Sequence, residues 1–185
     1  FESIGDALAQ DPARWQPQNM ANLIWAYAKL LVTHPRLLDA VADETAATVD
    51  DWNQQGLANV TWAYAKLGCV KHRKLFEACA TAVMQKIGTF SPQNTVNVAW
   101  AYAKVCLAKR DLMDAVAADV IQKAGDYSPQ HCSNAAWAFG AAGLLNRPCM
   151  ESLALVVERR VAEFNGQDLA NVVWACAKLA WAQPA

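Results

Sequence analysis

A tryptophan returns at nearly constant intervals along this 185-residue chain, and that recurrence limits the fold more than any other feature. Trp25, Trp62, Trp100, Trp137 and Trp174 are separated by 37, 38, 37 and 37 residues. Three residues before each stands an asparagine: Asn22, Asn59, Asn97, Asn134, Asn171. Seven before each stands a glutamine: Gln18, Gln55, Gln93, Gln130, Gln167. Ten before each stands an aromatic: Trp15, Trp52, Phe90, Tyr127, Phe164. Agreement at four aligned columns in five copies is no accident. A chain that repeats itself at this interval folds by stacking like units along an axis.

Each unit has the pattern of two helices. In the third copy, Ser91 is a helix N-cap and Pro92 occupies the first helical position. Helix A is expected from Pro92 to about Leu107 and helix B from about Asp111 to Ala124, with Gly125 as the C-terminal stop. Pro35 and Pro148 open helix B in the first and fourth copies. The extra residue of the second copy falls near Cys69, Val70, Lys71 and His72, in the turn between its helices, where insertions are tolerated. Abundant alanine and short β-branched runs agree with an all-helical chain. The expected fold is therefore an all-α, right-handed α-solenoid of tandem helix-turn-helix repeats. Residues 1–14 are the tail of a preceding repeat's second helix. Repeats follow at 15–51, 52–89, 90–126 and 127–163, and 164–185 supplies the first helix of a fifth. Neither end has a polar capping unit, which points to an uncapped excerpt of a longer array.

Helical geometry turns each column into a direction, at about 100° per residue. With the tryptophan at zero, the glutamine falls near 20°, the asparagine near 60° and the residue four after near 40°. That last column is Lys29, Lys66, Lys104, Ala141 and Lys178. Gln, Asn, Trp and Lys thus share one stripe of helix A. The opposite side is apolar; in the first copy it is Met20, Leu23, Ile24, Tyr27 and Leu30, and it should pack on helix B. The flanks are small: Ala26, Ala63, Ala101, Ala138 and Ala175 on one, Ala28, Ala65, Ala103, Gly140 and Ala177 on the other. Small flanks let successive A helices lie side by side, aligning their stripes.

The net charge is −1, without the basic excess of many nucleic-acid binders. Its distribution is uneven. The A helices carry four lysines and one acid, Asp168, for +3, which leaves −4 elsewhere, much of it on helix B (Asp39, Asp43, Glu44, Glu77, Asp114, Asp119, Glu151, Glu158). A polyanion would prefer the A surface. No apolar run approaches the ~20 residues that span a bilayer, so no membrane insertion is expected. The six cysteines form no C-x-x-C pair and suit free thiols in a reducing compartment. His34, His72 and His131 lie far apart with no repeated nucleophile or acid beside them, and there is no glycine-rich phosphate loop. Neither catalysis nor a metal or other cofactor is expected.

The segment from Pro92 to Lys104, PQNTVNVAWAYAK, resembles the signature of octotricopeptide repeats. So do Gln55–Gly68 (QGLANVTWAYAKLG) and Gln167–Leu179 (QDLANVVWACAKL). The resemblance covers essentially the whole chain; the fourth copy departs most, with Gly140 and Ala141 where Ala and Lys are usual. It implies a relative of pentatricopeptide and PUF arrays, which bind single-stranded RNA at about one base per repeat. It also implies a mitochondrial or chloroplast protein acting in transcript maturation, stability or translation, or in an organellar ribosome. The partners so implied are single-stranded RNA or ribosomal RNA and protein subunits of an organellar assembly. A different class stays open: a protein-interaction scaffold or structural subunit of a large organellar complex.

For the constant columns two readings stand side by side. The tryptophans stack on bases, or they wedge neighbouring A helices apart. The asparagines and glutamines bond RNA, or they form a ladder that satisfies polar groups across repeats. The lysines meet phosphates, or they are solvated surface charge. One column varies: six before the tryptophan stand Asn19, Gly56, Asn94, His131 and Asp168. Varied polar groups on a constant frame suit base discrimination; a tolerant first-turn position explains them as well.

Overall fold

The computed structural model describes residues 2–181. They form ten α-helices, with no strand among the described residues. The chain divides into two compact units, one ending at Lys86 and the other beginning at Ile87. In the first unit, α1 (Glu2–Gln10), α3 (Pro35–Ala47) and α5 (Arg73–Lys86) form one row, and α2 (Pro17–Leu30) lies beside α4 (Gln54–Lys66) in the other. In the second, α6 (Pro92–Lys104), α8 (Pro129–Ala142) and α10 (Gly166–Lys178) form the A row, backed by α7 (Arg110–Lys123) and α9 (Arg147–Arg160). Each unit is thus a stretch of α-solenoid, built of stacked helical hairpins. The first helix, α1, lies beside α3. Phe1 and residues 182–185, which the repeat boundaries included, lie outside the described residues.

The apolar columns make the core. Met20, Ile24 and Tyr27 of α2 are buried, as are Leu37, Leu38 and Val41 of α3. In the second unit Val96, Met113, Val116, Phe139, Met150 and Leu153 belong to one cluster. Full burial of such a side chain stabilises by about 1.5–3 kcal/mol. The Tyr64 hydroxyl, buried in α4, donates to the Leu38 carbonyl and ties that helix to α3. Leu30 departs from the expected pattern: it is exposed, because it ends its helix and the chain turns away at Leu31.

Both ends of helix A are fixed by short motifs. Asn53, Ser91, Ser128 and Asn165 each accept the backbone N–H three residues on, satisfying one of the orphan donors of the first turn. At the other end the sixth residue after each tryptophan is left-handed: Leu31, Gly68, Cys106, Gly143 and Ala180, with φ from 48° to 70°. Its N–H and the next one reach back to carbonyls of the last turn, as with Cys106 to Ala103 at 3.2 Å and Leu107 to Tyr102 at 3.0 Å. This Schellman closure ends the third A helix at Lys104, not near Leu107. Its sequence signal is hidden, because only two of the five residues are glycine. Gly125, expected to stop helix B, does something else. It lies within a 3-10 turn, Ala124–Asp126, that carries α7 into the next repeat.

A second device was not foreseen. Four residues before Phe90, Tyr127 and Phe164, the end of helix B carries a cation that reaches back to the start of its own repeat. Lys86 Nζ donates to the carbonyls of Asp50 at 2.7 Å and Trp52 at 3.1 Å. Lys123 Nζ donates to Gly88 at 3.0 Å and Phe90 at 2.7 Å. Arg160 donates to Tyr127 at 2.9 Å. Asp119, counted above with the surface acids of helix B, belongs to this device: its carboxylate is buried, pairs with Lys123, and accepts from Thr95 Oγ1 at 2.7 Å.

Candidate nucleic-acid interface

The stripe of helix A faces outward in both units. In the first, the Trp25 and Trp62 rings have centroids 6.5 Å apart and planes inclined at 35°. In the second, Trp100 and Trp137 are 6.3 Å apart at 29°, and Trp137 and Trp174 are 6.1 Å apart at 17°. Successive indoles therefore share a direction within each unit and pack on one another. The column is also surface: Trp25 is 40% and Trp174 39% exposed, and Trp62, Trp100 and Trp137 are half-buried.

The neighbours of the indoles divide by type. Lys29, Lys66, Lys104 and Lys178 are all exposed. Lys29 Nζ lies 5.1 Å from the Trp25 centroid and 5.5 Å from that of Trp62, and Lys178 Nζ lies 6.0 Å from Trp174; such approaches favour a cation over the negative ring face. The amide columns are partly engaged among themselves. Gln18 Nε2 donates to Asn22 Oδ1 at 3.1 Å, Asn53 Nδ2 donates to Gln18 Oε1 at 3.1 Å, and Asn171 Nδ2 donates to Ser133 Oγ at 3.2 Å, joining α10 to α8. Gln55, Gln93, Gln130 and Gln167 are exposed, and Asn59, Asn97 and Asn134 are half-buried.

The variable column splits. Asn19 is exposed and Asn94 half-buried. Gly56 is buried under Trp52, where an added Cβ would stand 3.1 Å from the ring. His131 and Asp168 turn back to accept the backbone N–H of their own N-caps, Ser128 and Asn165, and so complete capping boxes. Burial lowers the pKa of His131, which keeps the ring neutral and able to accept.

The small flanks do what their size allows. Gly140 of α8 meets Ala175 of α10 so closely that a Cβ on Gly140 would stand 2.9 Å from the Ala175 Cα and 3.1 Å from the Trp174 ring. Gly140→Ala should force the two helices apart at a cost of about 1–3 kcal/mol, reduced by alanine's helix preference of about 1 kcal/mol. A mutant more stable than the parent by the full helix preference of about 1 kcal/mol in chemical denaturation would refute this close approach.

The charges segregate by helix end within each unit. Because A helices stack on A helices and B on B, all the A-to-B turns of a unit lie along one rim. The ion pair of Lys71, in the turn before α5, with Asp39, near the start of α3, at 2.7 Å spans this rim in the first unit. The bond from Asn146 to Asp114 at 3.1 Å does so in the second. In the first unit this rim carries Lys29, Arg36, Lys66, Lys71, Arg73 and Lys74 against Glu2, Asp6, Asp39 and Glu77, a net +2. In the second it carries Lys104, Lys109, Arg110, Arg147 and Lys178 against Asp111, Asp114 and Glu151, again +2. The opposite rims are −3 and −2. Every cation of the positive rims is exposed. The cations around the start of helix B were missed because the chain was read by helix A columns; the run Lys71–Lys74 and the pair Lys109–Arg110 were the available signal.

All six cysteines are free. Burial pushes the thiols of Cys79 and Cys149 up to about 12 and that of Cys132 to about 11, so these are inert core groups. No helix among the described residues is long and apolar enough to cross a membrane.

A comparison with curated proteins found no match. A comparison with protein families found one, described as RNA-editing substrate-binding complex 6 protein, over residues 14–141. That match runs through the first three repeats and into the fourth, well over half of the sequence, and on it the chain belongs to the RNA-editing substrate-binding complex 6 protein family.

Proposed function

We propose that this protein binds single-stranded RNA as a non-enzymatic subunit of an organellar RNA-editing assembly, with RNA held along the outer stripe of the A helices at the positive rim of each unit. The observation that carries the reading is the segregation of charge: a net charge of −1 is distributed so that the rim beside the stacked indoles is positive in both units. A polyanion is drawn to that rim and repelled by the opposite one. The partly exposed indoles offer stacking surface to bases. The family's name, which speaks of an RNA-editing substrate-binding complex, supports both RNA and protein partners. The octotricopeptide resemblance adds an expected footprint of about one nucleotide per repeat, hence about five. Of the two organelles that resemblance allows, the editing assignment favours the mitochondrion; nothing supports the chloroplast.

The test is a filter-binding titration with single-stranded RNA across a series of salt concentrations. Affinity falls steeply with salt if phosphates are neutralised at the rim. Weak binding with no salt dependence favours the other reading, a structural subunit that holds proteins together, for which the near-neutral total charge speaks.

Sequence preference is a finer part of the proposal, and it rests on the variable column. His131 and Asp168 are committed to their caps and Gly56 has no side chain, so Asn19 and Asn94 are the positions from which discrimination would come. Asn94→Asp should change the ranking of a panel of short RNAs that differ at one position, because a carboxylate accepts where an amide both donates and accepts. An unchanged ranking at every position removes the column from the site.

A further inference from the structure

The first repeat lacks the arm that closes the other three. Where Lys86, Lys123 and Arg160 reach back, the first repeat has Thr48. Its hydroxyl donates instead to the Glu44 carbonyl at 2.8 Å and accepts from Trp52 Nε1 at 3.2 Å. The groups that receive the arm elsewhere are nonetheless in place. Ala13 and Trp15 stand at the positions of Gly88 and Phe90, whose carbonyls accept from Lys123. Glu44 stands at the position of Asp119, whose carboxylate pairs with Lys123. All three residues line a cavity of about 350 Å³, together with Asp51. Trp15 is 37% exposed, while the other opening aromatics, each in a repeat closed by a cation or next to one, are at most 8% exposed.

We propose that this cavity receives a lysine or arginine side chain of a protein partner, seated where Lys86, Lys123 and Arg160 sit in their own repeats. The chemistry selects that occupant. Two carboxylates repel a phosphate and attract an ammonium or guanidinium group. Backbone carbonyls accept its N–H donors, and the open Trp15 ring adds a cation–π surface. The site lies on the rim opposite the positive one, so it is independent of the RNA reading and survives if that reading fails. Arg14 borders the same cavity and is the cation in the chain that competes for it.

The test is an NMR titration of the nitrogen-15-labelled protein, following the indole N–H of Trp15, assigned by its loss in Trp15→Phe. The probes are a blocked five-residue peptide with one central lysine and the same peptide with norleucine. The lysine peptide should shift the Trp15 signal saturably and the norleucine peptide should not. Arg14→Gln should strengthen the response and Glu44→Gln should weaken it several-fold. Thr48→Lys, which supplies the arm internally, should abolish it and raise the melting temperature. Equal responses to the two peptides overturn the proposal, as does an undiminished response in folded Thr48→Lys. If that variant fails to fold, an unchanged affinity in Glu44→Gln is the overturning result.

Discussion

Replacing Asp119 with alanine lowers the unfolding free energy of the second unit by about 3–5 kcal/mol. The carboxylate is almost wholly buried and has two partners: Lys123, with which it pairs, and the Thr95 hydroxyl, which donates to it. Lys123 is itself largely buried and is held against the Gly88 and Phe90 carbonyls. Without the carboxylate, its charge is stranded in a poorly solvated place, and the bonds that anchor Phe90 loosen with it. The loss therefore reflects an uncompensated charge more than the worth of one pair. Two companions separate these contributions. Asp119→Asn keeps the shape and one acceptor and should cost less. The double variant Asp119→Ala with Lys123→Met removes both charges and should recover much of the loss, a coupling that a double-mutant cycle reads directly. Chemical denaturation, monitored by circular dichroism, is the measurement. A loss below about 1 kcal/mol in Asp119→Ala would show that the ion pair is not structural.

The repeat, its two helices and the outward stripe were legible because they depend on columns of identical residues. A tryptophan that recurs at 37-residue spacing must recur in space if the units stack, and the paired indoles of each unit do so. The N-cap at Ser91 was legible for a different reason: a serine before a proline has few other uses. What escaped notice depends on backbone shape or on chemistry shared by unlike residues. The left-handed closure of helix A is made by Leu31, Cys106 and Ala180 as well as by two glycines, and identity gives no hint of it. The closing cation is lysine twice and arginine once, and it bonds carbonyls, which leave no trace in a sequence. Asp119 looked like surface charge because its partner Thr95 lies 24 positions away, on the preceding helix. The variable column was legible as a position and less so as a role: the side chains of His131 and Asp168 serve the helix start before any ligand.

Changing Lys29, Lys66, Lys104 and Lys178 together to glutamine should flatten the salt dependence of RNA binding by about 3 in the slope of log affinity against log salt. Each phosphate neutralised on a single strand contributes about 0.7 to that slope, and these four lysines stand exposed, each four residues after a tryptophan of the stripe. With the advantage vanishing at about 1 M salt, the same accounting puts the loss of affinity at about 10³–10⁴-fold in 50 mM salt, shrinking as salt rises and screening removes the advantage in both proteins. Glutamine preserves helix preference and most of the aliphatic stem that covers the rings, so the fold should survive, with an unchanged circular dichroism spectrum. Arg159→Gln is the control: it removes an exposed charge from the opposite rim and should leave the slope alone. Uniform weakening across RNA sequences marks these lysines as backbone contacts; a loss confined to certain sequences would make them readers of bases instead. Equal slopes in the parent and the quadruple variant would remove the positive rim from the binding surface. The stacked indoles would then be explained by helix packing alone, and the proposed place in an editing assembly would rest on binding to proteins instead of RNA.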